Sequence, residues 1–278
     1  MDTRKLSLAG VIGNPIAHSK SPIIHGYWLR HYGINAYYVP IEVAGEDLFE
    51  VIQSLPKMKF RGVNITIPYK EDALRHYHHI TDQAVLIGAV NTLTFSPDHQ
   101  IYADNTDGHG FLQNLKERLP DWKGSHGPVL VLGAGGAAKA AIYALILDGA
   151  PTVYVSNRSS DRAEALRRVF GNRVVVVKQS DIPDLLGEVA TVVNATSLGM
   201  KGMPRLNFPH EELRPDTVVT DLVYSPLETE LLKQAASRGC RTVDGLGMLL
   251  HQAAVSFDSW YGIRPVINST VRSLALAG

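Results

Sequence analysis

Along the first hundred residues, short apolar runs alternate with stretches whose apolar positions recur at helical spacing. Leu6 to Ile12, Ala36 to Val43, Gly62 to Ile67 and Val90 to Phe95 read as strands, with helices predicted after Ser21-Pro22, after Gly45 and after Pro68. Proline suits the first turn of a helix because the N–H it lacks would have no intrahelical acceptor there. From Pro128 the pattern changes: VLVLGAGGAAKAAIYALILDGA is followed by TVYVSNR, RVVVVKQ, TVVNATS and TVVTDLVY. These β-branched runs lack the polar alternation of a half-exposed strand, as befits a sheet covered on both faces. Strand and helix alternate throughout, which predicts an α/β protein of βα units around mostly parallel sheets. With 278 residues the chain suffices for two modest domains sharing a cleft. The boundary is expected near Asp107 to Lys123, and Ser197 to Pro215, with its Gly, Pro and Lys residues, reads as a loop.

Composition narrows the function classes. The 27 basic and 27 acidic residues leave a formal charge of +0, so no global field attracts nucleic acid or an anionic membrane, and any anion must be held locally. No apolar run approaches the roughly 18 residues of a membrane span, and the N-terminus has no signal-like apolar stretch. The single cysteine, Cys240, cannot form an internal disulfide and reads as a small buried residue near a strand start. A cytoplasmic protein is expected.

Gly133-Ala-Gly135-Gly136-Ala137-Ala138 follows a strand and opens an Ala-rich helix, the context in which G-x-G-x-x-G/A carries information. The first glycine permits a tight turn, the second lets backbone N–H groups approach a pyrophosphate, and small Ala138 permits close helix packing at a positive helix end. The next strand ends Ser156-Asn157-Arg158-Ser159. An acidic side chain here would hold the ribose hydroxyls of NAD. Arg158 instead can fork onto a 2′-phosphate, with Ser159 and Arg162 adding donors, which favours NADP. Two solvated charges at a helix start are the alternative.

In the first half, Gly13-Asn-Pro-Ile-Ala-His18-Ser19-Lys-Ser21-Pro22 leaves a strand and enters a helix. Ser21 fits an N-cap, and the two serines at a positive helix end also fit a carboxylate receptor; both readings stand. In Gly62-Val-Asn64-Ile-Thr66-Ile-Pro68-Tyr-Lys70, alternation puts Asn64 and Thr66 on one strand face and Val63, Ile65 and Ile67 on the other. Lys70 falls in the first turn of the helix predicted after Pro68, where the dipole disfavours a cation. Partly desolvated, such a lysine can exchange a proton with a reacting hydroxyl; a solvated surface lysine is the plainer reading. Gly88-Ala-Val-Asn91-Thr92 and Ala103-Asp104-Asn105-Thr106-Asp107-Gly108 bring polar clusters to strand ends, where ligands bind in open α/β sheets. Asp107 can pair with Lys70 or cap a helix starting at Gly108.

Together these residues resemble the shikimate dehydrogenase family, which includes shikimate/quinate dehydrogenases, over almost the whole chain. GNPIAHSKSP, GVNITIPYK, GAVNT, NTDG, GAGGAA, NRSSDR, NATSLGM, DLVYSP and DGLGMLLHQAA occur in the family's order. The resemblance implies an N-terminal α/β substrate domain over 1–107, completed by helices in 246–278, a Rossmann-like NADP domain with a parallel sheet over 108–245, and a cleft between them. The sequence is compatible: after Gly247, Leu249, Leu250, Ala253, Ala254 and Phe257 form an apolar helical stripe, with Gln252 and Ser256 together on a polar face.

By that resemblance Ser19 and Ser21 bind a substrate carboxylate, Asn64, Thr66, Asn91, Asp107 and Gln252 hold ring hydroxyls, and Tyr224 is a substrate-side tyrosine. Lys70 and Asp107 match the catalytic pair. On the cofactor side, Gly135, Gly136 and Ala137 match the phosphate loop that Gly133 opens. Asn157, Arg158, Ser159 and Arg162 match the adenosine phosphate site, and Thr196, Leu222, Gly245 and Met248 the nicotinamide surroundings. Ser159 stands where the family often has Thr, which keeps the hydroxyl, and Ser225 stands where Asn is frequent. The implied activity is NADPH-dependent, reversible reduction of 3-dehydroshikimate to shikimate in aromatic amino acid (chorismate) biosynthesis. The implied protein is a monomer or homodimer with small-molecule partners, no nucleic acid and no membrane. No metal is expected: His76, His78 and His79 do not converge on a helix, and His18 reads as a loop hydrogen-bonder. The rivals are a quinate/shikimate dehydrogenase of broader substrate and cofactor range, and a non-catalytic binder of the same fold.

Overall fold

The computed structural model describes residues 6–74, 77 and 79–277. The chain divides into a first unit, 1–106 with 250–278, and a second unit, 107–249. Among the described residues, the strands of each form one six-stranded sheet.

In the first unit the strands are β1 (Ser7–Gly13), β2 (Ala36–Glu42), β3 (Phe60–Ile65), β4 (His79–Ile80), β5 (Thr92–Phe95) and β6 (Ile101–Asp104), in the order β2-β1-β3-β5-β6-β4. β1 pairs in parallel with β2 and β3, and β4 with β6, while β5 runs antiparallel to β3 and β6. The sheet is therefore mixed. Only a short turn closed by Ser96 and Gln100 joins β5 to β6, too little chain for the crossover that parallel pairing requires. Ile12, Val63, Ile65, Leu93 and Ala103 face a core shared with Leu48 and Ile52 of helix α2 (Leu48–Ser54). Helix α1 (Ser21–His31) buries Ile24, His25, Trp28 and Leu29, and α3 (Asp82–Ile87) is capped by Thr81, whose hydroxyl accepts the Ala84 N–H.

Three local expectations are corrected. Lys20, not Ser21, is the N-cap of α1; Ser21 is its first residue, and the Ser19 hydroxyl accepts the Ser21 N–H at 3.3 Å. No α-helix follows Pro68: residues 68–71 form a turn and Asp72–Leu74 a single 3-10 turn. The Lys70 carbonyl accepts the Val90 N–H at 2.7 Å, so it is committed outside any local helical ladder. Ile67 does not join Val63 and Ile65 inside; β3 ends at Ile65, and Ile67 is 70% exposed.

The second unit comprises β7 (Val129–Leu132), β8 (Val153–Ser156), β9 (Val174–Val176), β10 (Thr191–Asn194), β11 (Val218–Asp221) and β12 (Arg241–Val243). Their order is β12-β11-β10-β7-β8-β9 with every pair parallel, the doubly wound order of a dinucleotide-binding fold. Period two divides β7 between two cores. Val129 and Val131 pack with Phe111 and Leu115 of α4 (Asp107–Arg118), with α5 (Gly136–Leu147) and with α6 (Ser160–Phe170). Leu130 and Leu132 pack on the other side with Ile182 of α7 (Ile182–Leu185), with Leu231 and Leu232 of α8 (Glu230–Ser237), and with buried Cys240. Asp107 is the first residue of α4, not the residue before it.

Helix α9 (Leu246–Tyr261) gives its first four residues to the second unit and the rest to the first, where α10 (Ser269–Ala277) also belongs. In the first unit, Trp260 lies so close to β3 that a Cβ on Gly62 would fall 2.0 Å from its ring nitrogen and 2.2 Å from the Leu93 carbonyl. That nitrogen donates to the Leu93 carbonyl at 3.0 Å. Gly62→Ala is therefore expected to displace this part of α9 and cost about 1–3 kcal/mol or more, as overpacking does; an unchanged melting temperature would contradict it. Among the described residues no helix is long and apolar enough to cross a membrane.

Candidate active site

In the first unit, β1, β3 and β6 end, and antiparallel β5 begins, at one edge of the sheet. The segments around Ser19, Thr66 to Lys70, Asn91 and Asn105 to Thr106 all leave from that edge. Backbone bonds stitch them together: Asn14 N–H to Ile67 O at 3.2 Å, Thr66 N–H to Ile12 O at 2.9 Å, Ile65 N–H to Asn91 O at 2.9 Å and Asn91 N–H to Asp104 O at 3.0 Å.

Side chains at this edge form a buried, uncharged cluster. Asn64 is 5% exposed; its Nδ2 donates toward Ser256 Oγ (2.9 Å), the Asn91 carbonyl (3.1 Å) and Thr92 Oγ1 (3.2 Å). Its Oδ1 accepts the Tyr38 hydroxyl at 2.9 Å. Asn91 donates to Thr106 Oγ1 at 3.0 Å and Gln252 Oε1 at 3.2 Å, and its Oδ1 accepts the Thr106 N–H at 2.8 Å and the Thr92 hydroxyl at 2.9 Å. The polar face of α9 read from the sequence is thus itself buried, with Gln252 at 8% and Ser256 at 0% exposure. A burial this polar is tolerable because its groups are mutually hydrogen-bonded. Neutral amides and hydroxyls suit ligand hydroxyls rather than a formal charge. Ser21 is buried within hydrogen-bonding reach of the Tyr38 phenol, whose pKa burial raises well above the ordinary value; Ser19 is half-buried beside it in sequence.

Tyr38, Thr92, Thr106 and Ser256 join the cluster without a role legible in the sequence. Thr92 and Thr106 stand inside quoted motifs and Ser256 beside Gln252, whereas nothing in AYYVP marks Tyr38 as anything but packing. Thr66 and Lys70 are half-buried in the turn after β3. His79 stacks on Tyr102 with centroids 4.6 Å apart, while His76 and His78 lie outside the described residues.

In the second unit, buried Gly133 follows β7 with φ of 111°, where a Cβ would also meet the Ala195 carbonyl at 3.0 Å. Gly135 is the N-cap of α5, and Gly136 and Ala137 form its first turn, all three half-buried. A Cβ on Gly135 would meet nothing within 4 Å. The space above this helix start, next to backbone N–H groups lacking intrahelical acceptors, fits a dinucleotide pyrophosphate. Past β8, Arg158, Ser159 and Arg162 are exposed, and the Asn157 side chain donates to the Ser159 carbonyl at 2.8 Å. Among the described residues neither Arg158 nor Arg162 has an ion-pair or hydrogen-bond partner, and positions 156–160 carry no carboxylate.

The ends of β10 and β11, next to the switch point of the sheet, are tied by fully buried Asp221. It accepts from Asn194 Nδ2 (2.9 Å), the Thr229 hydroxyl (2.7 Å) and the Val223 N–H (3.0 Å), while burial raises its pKa. Asn194 Oδ1 in turn accepts the Thr196 hydroxyl at 2.7 Å, and its carbonyl the Leu222 N–H at 2.9 Å. Gly245 approaches so closely that a Cβ would lie 2.4 Å from the Leu222 carbonyl. Met248 is buried in the α4–α5 core, and burial raises the pKa of half-buried Tyr224.

The fold and these sites define a dinucleotide-binding α/β protein that carries a second, polar ligand-binding unit. A family model for the shikimate dehydrogenase substrate binding domain matches residues 11–93, and one for shikimate / quinate 5-dehydrogenase matches residues 114–201. The chain is 54% identical to a shikimate dehydrogenase (NADP(+)) from Jannaschia sp., covering 98% of each chain. Solved structures match it over nearly its whole length as well. Shikimate 5-dehydrogenase from Thermus thermophilus in complex with NADP(H) and shikimate matches at TM-score 0.86 and 36% identity, covering 97% of this chain and 98% of that one. Quinate dehydrogenase from Corynebacterium glutamicum in complex with NAD matches at 0.91 and 34%, covering 98% and 100%. The chain belongs to the shikimate dehydrogenase family.

Proposed function

We propose that this protein is an NADP-dependent shikimate dehydrogenase, reversibly reducing 3-dehydroshikimate to shikimate in the route to chorismate. The observation that carries the reading is the buried uncharged cluster of Asn64, Asn91, Thr106 and Gln252 in a chain that also holds a glycine-turn Rossmann sheet. NADPH, when bound, supplies the hydride. The roles proposed for the chain's own residues follow from their chemistry. Ser19 and Ser21 take the substrate carboxylate at the start of α1, while Asn64, Thr66, Asn91 and Gln252 hold ring hydroxyls and Tyr224 adds a phenol. Lys70 gives a proton to the oxygen that becomes a hydroxyl, with Asp107 holding geometry. Gly133, Gly135, Gly136 and Ala137 cradle the pyrophosphate, and Asn157, Arg158, Ser159 and Arg162 take the adenosine 2′-phosphate. Thr196, Leu222, Gly245 and Met248 surround the nicotinamide. The proposal sets the enzyme in the cytoplasm as a monomer or homodimer; the +0 charge and single cysteine support that setting.

Ligand-dependent melting, run alongside turnover, separates an enzyme from a binder of the same fold. Shikimate is expected both to raise the melting temperature and, with NADP, to be consumed; stabilisation without turnover would overturn the catalytic reading. The likeness to an NAD-bound quinate dehydrogenase keeps a broader specificity as the second reading. Arg158 bears on its cofactor side: Arg158→Ala is expected to raise KM for NADP by about tenfold or more and KM for NAD far less, since only NADP offers a 2′-phosphate to the guanidinium. Equal changes for both cofactors would remove the assignment.

A further inference from the structure

The hydrogen bonds behind the first-unit cluster run in one direction. Tyr38 donates to Asn64 Oδ1 at 2.9 Å, and Asn64 Nδ2 donates to Ser256 Oγ at 2.9 Å. Ser256 Oγ and Thr92 Oγ1 lie 2.8 Å apart, and Thr92 donates to Asn91 Oδ1 at 2.9 Å. With the Thr92 proton spent on Asn91, the Ser256 proton spans the 2.8 Å gap; its 3.3 Å approach to the Gln252 carbonyl is the weaker alternative. Asn91 Nδ2 then donates to Gln252 Oε1 at 3.2 Å and Thr106 Oγ1 at 3.0 Å. Donors thus pass from the phenol of Tyr38 to the amide of Gln252.

An amide has two donor hydrogens and two acceptor lone pairs, and its neighbours decide which remain for a ligand. Both Asn64 hydrogens are matched by protein acceptors, one set at Ser256 and Thr92 and the other at the Asn91 carbonyl. Its oxygen takes one bond, from Tyr38, and keeps a second lone pair. Asn64 therefore meets a ligand as an acceptor. A phenol buried on one side and a serine buried on the other keep that oxygen aimed. The Tyr38 ring is itself held flat against His25, with centroids 4.2 Å apart and planes 1° from parallel.

We infer that Tyr38 and Ser256 are positioning residues for substrate recognition, fixing the Asn64 amide so that its oxygen accepts a ring hydroxyl of the substrate. The inference rests on the proposed role of Asn64 and adds two residues that do not touch the substrate.

The test is steady-state kinetics on Tyr38→Phe and Ser256→Ala, each alone and combined with Asn64→Ala. Tyr38→Phe keeps the ring and its stack and removes only the donor. Each single change is expected to raise KM for shikimate about tenfold, with kcat and KM for NADP within about twofold. In the Asn64→Ala background either change is expected to add less than about twofold, because the group it positions is gone. Unchanged KM for shikimate in both single variants, or full additivity with Asn64→Ala, would overturn the inference while leaving the role of Asn64 intact. A parallel loss of kcat and of NADP affinity would also overturn it, as the mark of general disruption. If Asn64→Ala itself leaves KM for shikimate unchanged, the proposed role of Asn64 fails and the inference with it.

Discussion

Replacing Lys70 with alanine is expected to lower kcat by about 10²- to 10⁴-fold, with a smaller change in KM. The backbone at Lys70 is pinned by the Val90 N–H on its carbonyl, and the turn before it begins at Thr66, whose own N–H is bound to Ile12. A fixed backbone and a half-buried stem restrict the positions open to the ammonium. Reduction of a ring carbonyl leaves negative charge on oxygen, and a protonated amine there both stabilises that charge and discharges it. Substrate affinity, by contrast, is spread over Ser19, Ser21, Asn64, Thr66, Asn91 and Gln252 in the proposal, so KM is the less sensitive quantity. Lys70→Arg is expected to recover little, since a guanidinium keeps the charge but does not give up its proton. A Lys70→Ala enzyme with wild-type kcat would remove Lys70 from the chemistry.

The second large effect concerns acid stability. His25 is fully buried on α1 among Tyr38, Trp28, Phe257 and Trp260, with no hydrogen-bond partner for either ring nitrogen among the described residues. Burial lowers its pKa from 6.5 to about 3. The unfolded chain therefore binds a proton that the folded chain refuses between those values, so stability is full above about 6.5 and falls as the pH drops toward about 3. The contribution grows by roughly 1.4 kcal/mol per pH unit once below the unfolded pKa, amounting to about 2 kcal/mol near pH 5. Other groups titrate too, so the prediction is a difference. His25→Phe, which keeps an aromatic plate and removes the titration, should lose about 2 kcal/mol less than the parent between pH 7 and pH 5. Trp28 and Trp260 flank the site, and denaturant unfolding followed by tryptophan fluorescence reads it out. Parallel acid dependence in the two proteins would mean that His25 accepts its proton in place.

The features legible in the sequence were those set by short-range pattern. β-Branched runs located the strands of the second unit because sheets buried on both faces select for them, and GAGGAA after such a run located the turn into α5. Chain order and the absence of a carboxylate after β8 were likewise visible residue by residue. What escaped was decided by partners distant in the chain. The helix expected after Pro68 gave way because the Lys70 carbonyl bonds to Val90. Ile67 left the core because β3 stops two residues earlier and Ile67 falls in the turn that follows. The predicted cap at Ser21 moved by one position, because the helix takes Ser21 as its first residue and Lys20 as its N-cap. Tyr38 and Ser256 reach Asn64 across 26 and 192 residues of chain, separations at which no local spacing rule operates. The polar face of α9 was visible, but its burial against Asn64, Asn91 and Thr92 required the fold.

Activity is read most directly from the ultraviolet absorbance of the reduced nicotinamide when purified protein is offered shikimate or quinate, each with NADP or NAD. An NADP-dependent shikimate dehydrogenase is expected to give rapid reduction with shikimate and NADP and much slower change in the other three pairings. Equal rates with NAD would contradict the cofactor choice drawn from Arg158, equal rates with quinate would move the protein to the broader quinate/shikimate reading, and no reduction in any pairing would contradict the enzyme itself.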